Sequence, residues 1–311
     1  VRFGDTYCMT DNSIRLHGPL DGGNYEHEWS DESIKIHLMS DVGKKREHNE
    51  DSCFMQVPND ATVRADLGIL IAVADGMGGA SSGERASHLA LESLARKYYE
   101  SSSQSIPKAL EAALAYANEQ VYEDAENNPE YHGMGTTVDA IVVHGNCVYV
   151  AHVGDSRVYV QNKQQELRQI TEDHSMVWEQ FRAGLISEEE AKTHSMRNLI
   201  TKAIGIKLEV EIDLYAFTIG QDDRVLLCSD GLCGLIDNPE IQEGLSQRDL
   251  KTSNHALIAL AMDAGGNDNI TTLQVQYQKP PVEHDLQPGC EKIPSIAEGG
   301  IINRLRRRIF G

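Results

Sequence analysis

The stretch TVDAIVVHGNCVYVAHVGDSRVYVQ, residues 137–161, contains three strand-like runs and no helical spacing. β-Branched and aromatic residues crowd residues 137–143, 148–153 and 157–161, and Gly145-Asn146 between the first two is a tight hairpin signal. Upstream, Ala86, Leu89, Ala90, Leu94 and Tyr98 recur at helical spacing over residues 83–99. Pro107 then opens a second helix with Ala109, Leu110, Ala113, Ala117 and Val121 on one face, and no strand separates the two. Residues 34–38, 52–57 and 69–74 are strands before this pair. After the hairpin come a Glu-rich helical stretch broken at Gly184 (174–194), strands at 210–217 and 224–228, helices near Pro239 and at 255–262, and a last strand at 270–277. Strands in runs with helices in pairs predict an α+β fold with antiparallel sheets.

The ends differ from this middle. Residues 1–33 are polar with Gly22-Gly23 and several acids, and read as an irregular N-terminal extension. Residues 34–279 form the domain. Lys279-Pro280-Pro281 begins a tail, 280–311, expected to be flexible, with a basic end. There Ile301, Ile302, Leu305, Ile309 and Phe310 can share one helical face among Arg304, Arg306, Arg307 and Arg308. A solvated end is the first reading, because so short a helix is marginal alone in water. An anchoring helix, or a clamp onto the acidic body, is the alternative.

Across 311 residues, 40% are apolar and 24% charged, which fits a globular chain. Against 28 Lys+Arg stand 48 Asp+Glu, a net charge of -20, so nucleic acid and anionic membrane are poor partners. The six cysteines are scattered without a CxxC or a His/Cys cluster, which argues against zinc and for a reducing compartment. The apolar run 67–74 is too short to span a bilayer and the first residues lack a signal-like stretch. A cytoplasmic monomer is expected.

Four acidic sites share a pattern. Asn49-Glu50-Asp51 leads into a strand; Asp75-Gly76 and Ser229-Asp230-Gly231 each end one; Gly266-Asn267-Asp268-Asn269 precedes the last. Carboxylates fixed at strand ends and gathered together make an all-oxygen site for Mg²⁺ or Mn²⁺. Read singly, each is a turn before it is a ligand. Gly76, Gly78 and Gly79 match neither GxGxxG nor GxxxxGK[ST]. Arg46, between Lys44, Lys45 and Glu47, reads alone as a surface salt bridge. Asp173-His174-Ser175 is adjacent in sequence, unlike a hydrolase triad, and reads as a helix start capped by Asp173 or Ser175.

Taken in order, these segments resemble the metal-dependent serine/threonine protein phosphatases, the type-2C family, in bacterial form. The resemblance rests on Asp41-Val42-Gly43, Arg46-Glu47-His48-Asn49-Glu50-Asp51, Val73-Ala74-Asp75-Gly76-Met77-Gly78-Gly79 and Gly135-Thr136-Thr137. It continues through Val153-Gly154-Asp155-Ser156-Arg157, Thr171-Glu172-Asp173-His174-Ser175, Leu227-Cys228-Ser229-Asp230-Gly231-Leu232 and Gly266-Asn267-Asp268-Asn269-Ile270-Thr271. It implies a four-layer α-β-β-α sandwich, two antiparallel sheets flanked by helix pairs. It also implies two Mn²⁺ or Mg²⁺ ions and a third, weaker one. By motif, Asp75 bridges both ions, Gly76 lends a carbonyl oxygen, and Asp230 and Asp268 complete one ion. Glu50 serves the other, Asp155 joins Asp230 at the third, Asp51 orients water, and Arg46 grips phosphate. The implied activity is hydrolysis of phosphoserine and phosphothreonine on proteins, themselves substrates of a serine/threonine kinase. A catalytically weak phosphoprotein-binding relative is the alternative. Some relatives carry a proton-donating His where this chain has Met77, which leaves the general acid open. Residues 176–200 correspond to a mobile flap beside the site.

Overall fold

The structure, a computed structural model, describes residues 13–101 and 104–293. The strands are β1 (Ser13–Gly18), β2 (Tyr25–Ser30), β3 (Ile34–Asp41), β4 (Asp51–Pro58), β5 (Ile69–Met77), β6 (Gly135–Thr136), β7 (Val138–His144), β8 (Cys147–Val153), β9 (Arg157–Gln161), β10 (Leu167–Gln169), β11 (Asp213–Thr218), β12 (Arg224–Cys228), β13 (Ile270–Tyr277) and β14 (Glu291–Lys292). The helices are α1 (Ala61–Leu67), α2 (Ala80–Tyr99), α3 (Ile106–Asn127), α4 (Met176–Arg182), α5 (Glu188–Thr193), α6 (Asp230–Cys233), α7 (Asn238–Leu245) and α8 (Leu250–Asp263).

One sheet runs β1-β4-β5-β7-β8-β11-β14 with β6 on β5; the other runs β10-β9-β12-β13-β3-β2. Every pairing is antiparallel except β11 with β14. The period-2 alternation of strand side chains builds the layers. On β5, Ile69, Ile71 and Val73 face the second sheet and meet Ile36, Leu38, Val225, Leu227 and Leu273. Leu70, Ala72 and Ala74 face the other way, onto Ala90, Leu94, Leu110 and Ala113 of α2 and α3. The second sheet's outer face, Tyr159, Leu226 and Cys228, packs on Ile241, Leu245 and Leu257 of α7 and α8. The expected four-layer α-β-β-α sandwich is present.

Two boundaries are corrected. Residues 13–18 and 25–30, read as part of an irregular extension, are edge strands, one on each sheet. In β2, Tyr25, His27 and Trp29 are half-buried while the alternating Glu26, Glu28 and Ser30 are exposed, a period-2 pattern hidden among acids and glycines. The first part of the tail also packs on the body. Asn146 N donates to Val282 O, Gln287 N donates to the Tyr149 hydroxyl, and Ile293 N donates to Ala216 O. The reading of a basic helical end falls on residues outside those described. Among the described residues no helix is long and apolar enough to cross a membrane.

Candidate metal centre

Antiparallel register carries the predicted acids to one end of the sandwich. Asp51 opens β4 directly opposite Asp75 near the end of β5. Cys228 at the end of β12 pairs with Thr272 near the start of β13, which sets Asp230 beside Asp268. Val138 pairs with Val153, so the turn bearing Asp155 lies next to Thr137. The backbone around Asp75 is pinned: its N–H donates to Thr137 Oγ1 at 3.0 Å and its carbonyl accepts from Thr136 Oγ1 at 2.8 Å. Thr137 and Ser156 hydroxyls are 2.7 Å apart, linking the Asp75 and Asp155 loops.

Two glycines let α2 dock onto this end. A Cβ on Gly76 would lie 2.1 Å from Gly83 O, and one on Gly83 would lie 1.9 Å from Glu50 Oε2. Glu50 is thus pressed between the start of α2 and the asparagine scaffold. Its N–H donates to Asn269 Oδ1, while Asn269 Nδ2 donates to the carbonyls of Val42 and His48. Asn49 Nδ2 reaches Gly23 O and Ser40 Oγ, so the glycine-rich link between β1 and β2 buttresses the acidic loop.

The electrostatics are those of crowded carboxylates. Asp51 is buried, and its Oδ2 accepts from Ser229 Oγ at 2.7 Å and Thr271 Oγ1 at 2.6 Å. Burial first, and repulsion from Asp268 and Asp230, push its carboxyl up to about 7 despite those two donors. Burial and then Asp51, Asp230, Asp155 and Asp268 raise Asp75 well above the usual carboxylate range. Asp155 is raised well above it by burial and Asp230, and Asp230 is raised by burial and Asp268. Glu50 is raised mainly by burial. Arg46 sits against the same group: its Nη2 is 2.8 Å from Asp268 Oδ2 and its Nη1 is 3.7 Å from Glu50 Oε1. The salt bridge read from its neighbours exists, but its partners are acids of the site rather than Glu47.

Among the described residues no three His, Cys, Asp or Glu side chains are already drawn to ligand geometry. Asp230 and Asp75 instead crowd each other, and Asp268 is held by Arg46. The donor chemistry still fits a hard cation. The donors are carboxylates on short turns, and repulsion among them is what a divalent ion would relieve. This has a measurable consequence. Carboxyls raised in the fold keep protons that the unfolded chain releases, so unfolding free energy falls as pH rises through their folded values. Chelator-treated protein should lose melting temperature between about pH 5 and pH 8, and Mn²⁺ should flatten that slope. A melting temperature that rises across this window in chelator would contradict the crowding.

The other motif residues have structural partners. Arg157 makes a two-pronged pair with Asp173, Nε to Oδ1 at 2.8 Å and Nη2 to Oδ2 at 2.7 Å. His152 Nδ1 is 2.7 Å from Asp139 Oδ1, and His174 Nε2 is 3.1 Å from Asp213 Oδ2. Ser175 is the N-cap of α4, with Asp173 facing Arg157, so no triad forms. Residues 176–200 fold as α4 and α5, tied at the base by Met176 N donating to Leu199 O and Thr201 N donating to His174 O. A cavity of about 230 Å³ between them and α6 reaches Asp155 and Asp230, with Trp178 and Leu235 in its wall. Supporting residues missed in the sequence are Ser229, Thr271, Thr137 and Asn269. All stand inside the quoted motifs, but their role depends on register across the two sheets.

Residues 43–261 match the protein phosphatase 2C family. The chain belongs to that family. The match takes in every predicted site residue except Asp268, which follows it. The serine/threonine phosphatase Stp of Listeria welshimeri is 36% identical over 245 residues, covering 77% of this chain and 94% of the relative. The crystal structure of the Mycobacterium tuberculosis serine/threonine phosphatase PstP/Ppp aligns with a TM-score of 0.70 at 36% identity, covering 81% of this chain and all of that one. The catalytic domain of PstP in complex with two manganese ions aligns at 0.66 and 34% identity, covering 79% and 98%. The resemblance drawn from the motifs is confirmed, and the chain is an enzyme of the protein-serine/threonine phosphatase class. A dinuclear metal centre is supported by the family and by the manganese-bound relative.

Proposed function

We propose that this chain hydrolyses phosphoserine and phosphothreonine on proteins, with Glu50, Asp75, Gly76, Asp155, Asp230 and Asp268 as cation ligands. The observation that carries this reading is the convergence of six carboxylates, Asp51 included, from separate segments onto one end of the sandwich, faced by Arg46. Asp75 would bridge two ions, with the Gly76 carbonyl beside it. Asp230 and Asp268 would hold one ion and Glu50 the other, and Asp155 with Asp230 would take a third, weaker one. When bound, the ions would offset the charge of the phosphate dianion and lower the pKa of the water that attacks phosphorus.

The chain's own residues do the positioning. Ser229 and Thr271 fix Asp51 through Oδ2, which leaves Oδ1 to accept from water and to handle the proton that the leaving alkoxide needs. Met77 can donate no proton, so that task falls to Asp51 and water. Arg46, whose present partners Asp268 and Glu50 would be engaged as ligands, would offer its fork to the equatorial phosphate oxygens. Residues 176–200, as a flap over the cavity beside Asp155, would contact the protein substrate.

The test is hydrolysis of a phosphothreonine peptide by purified protein with Mn²⁺, with Mg²⁺ and with excess chelator. Full turnover in chelator would refute the reading. Arg46→Ala should cut kcat/KM by about 10- to 100-fold, the worth of a charge-assisted contact. Arg46→Lys should recover only part of it, because the ammonium lacks the fork. Kinetics in both variants equal to those of the parent would leave Arg46 as a salt bridge only.

A further inference from the structure

Far from the metal centre, a cavity of about 380 Å³ opens between β1, the outer end of β4 and the end of α2. Gln56 lies about 17 Å along β4 from Asp51. Tyr99 lies about 24 Å along α2 from Gly83, which touches Glu50. Strand register builds the floor. Arg15 pairs with Gln56 and Ser13 with Pro58, so all four side chains share the face turned toward α2.

Three polar atoms on this floor are buried and have no hydrogen-bond partner among the described residues: Ser13 Oγ, Arg15 Nε and Gln56 Oε1. Ser13 is 3% exposed and Gln56 4%. A buried donor left unmade is costly, and a guanidinium N–H more so. The other groups around the cavity are accounted for. Tyr99 Oη accepts from Leu70 N and shares its one hydrogen between the carbonyls of Gln56 and Gly68, at 3.1 and 3.2 Å. Arg96, exposed at the rim, donates to the Tyr116 hydroxyl and lies 5.6 Å from the centroid of that ring. Asp60 caps α1, accepting from Thr62 N and Val63 N, and Glu100 stands exposed at the end of α2.

We propose that this cavity binds a small organic carboxylate, with Ser13 Oγ–H and Arg15 Nε–H as the donors to its head group. Two donors side by side, a hydroxyl and a guanidinium N–H, suit the two oxygens of one planar monoanion. Arg96 adds positive charge at the mouth, while Asp60 and Glu100 oppose a second negative charge and so favour a carboxylate over a phosphate dianion. The Tyr99 ring, Pro58 and Val63 supply apolar wall for the ligand's body, and the Gln56 amide accepts from a polar substituent on it.

The test is a titration of the Mg²⁺-loaded, isotope-labelled 311-residue chain followed by amide NMR shifts. The probes are benzoate, its neutral isostere benzamide, and phenylphosphonate, which cannot be hydrolysed. Benzoate should shift residues 13–16, 56–60 and 96–100 saturably. Arg15→Gln should weaken it about tenfold or more, and Arg96→Gln, at an exposed position that the fold tolerates, by a few-fold. Benzamide should bind at least tenfold more weakly, and phenylphosphonate more weakly than benzoate. Asp75→Asn should leave benzoate binding unchanged. No saturable shift, shifts confined to the metal centre, or benzamide equal to benzoate would overturn the proposal. Tighter binding of phenylphosphonate would overturn the head-group assignment.

Discussion

Asp75→Asn should lower turnover on a phosphothreonine peptide by about 10³-fold or more while leaving the metal-free protein as stable as the parent or more so. The two halves have one cause. Asp75 feels burial and four other carboxylates, Asp51, Asp230, Asp155 and Asp268. An isosteric amide removes one of the charges that repel there, so the fold without ions loses nothing. With ions the balance inverts, because the shared ligand of both has lost its charge. Metal-ion stabilisation of the transition state is worth several kcal/mol, and each 1.4 kcal/mol is tenfold in rate. The check is kcat at saturating Mn²⁺ beside a melting curve in chelator. A variant that stays active, or one that fails to fold, would show Asp75 to be a turn residue rather than a ligand.

Arg157→Leu should destabilise the protein by about 3–5 kcal/mol, the cost of stranding one partner of a buried ion pair. The pair is well enclosed, with side-chain exposure of 13% for Arg157 and 6% for Asp173. Arg157 also donates to the Tyr159 hydroxyl at 3.1 Å and lies 5.7 Å from the Trp178 ring centroid. It therefore joins the Asp155 turn to the first helix of residues 176–200. Beyond the stability loss, if residues 176–200 contact the protein substrate as proposed, activity on a phosphopeptide should fall further than activity on a small aryl phosphate. Pairing the change with Asp173→Leu should restore most of the stability, since no charge is then left unpaired. Urea unfolding of the parent and these two variants is the measurement; a loss under 1 kcal/mol for Arg157→Leu would contradict the enclosed pair.

The sheets were legible where apolar residues dominate. In β4, β5, β7 and β8 nearly every residue is buried, and those runs announce themselves. The edges were not. β1 carries Arg15 and His17 on one side, and β2 alternates aromatic or His with Glu, so neither has an apolar run. β14 is two exposed residues, Glu291 and Lys292, whose strand character comes from Tyr215 and Ala216 opposite. The acids of the site were legible because each stands at one end of a buried strand, beside a turn. Their supports were not: Thr271 reaches Asp51 from 220 positions away and Ser229 from 178, a partnership that only the packing of two sheets creates.

A two-ion centre bridged by Asp75 would show itself in anomalous scattering from crystals of this protein grown with Mn²⁺. Two strong peaks should share the Asp75 carboxylate, with Asp230 and Asp268 on one and Glu50 beside the other. A single peak, or peaks that leave Asp75 without a metal contact, would contradict it.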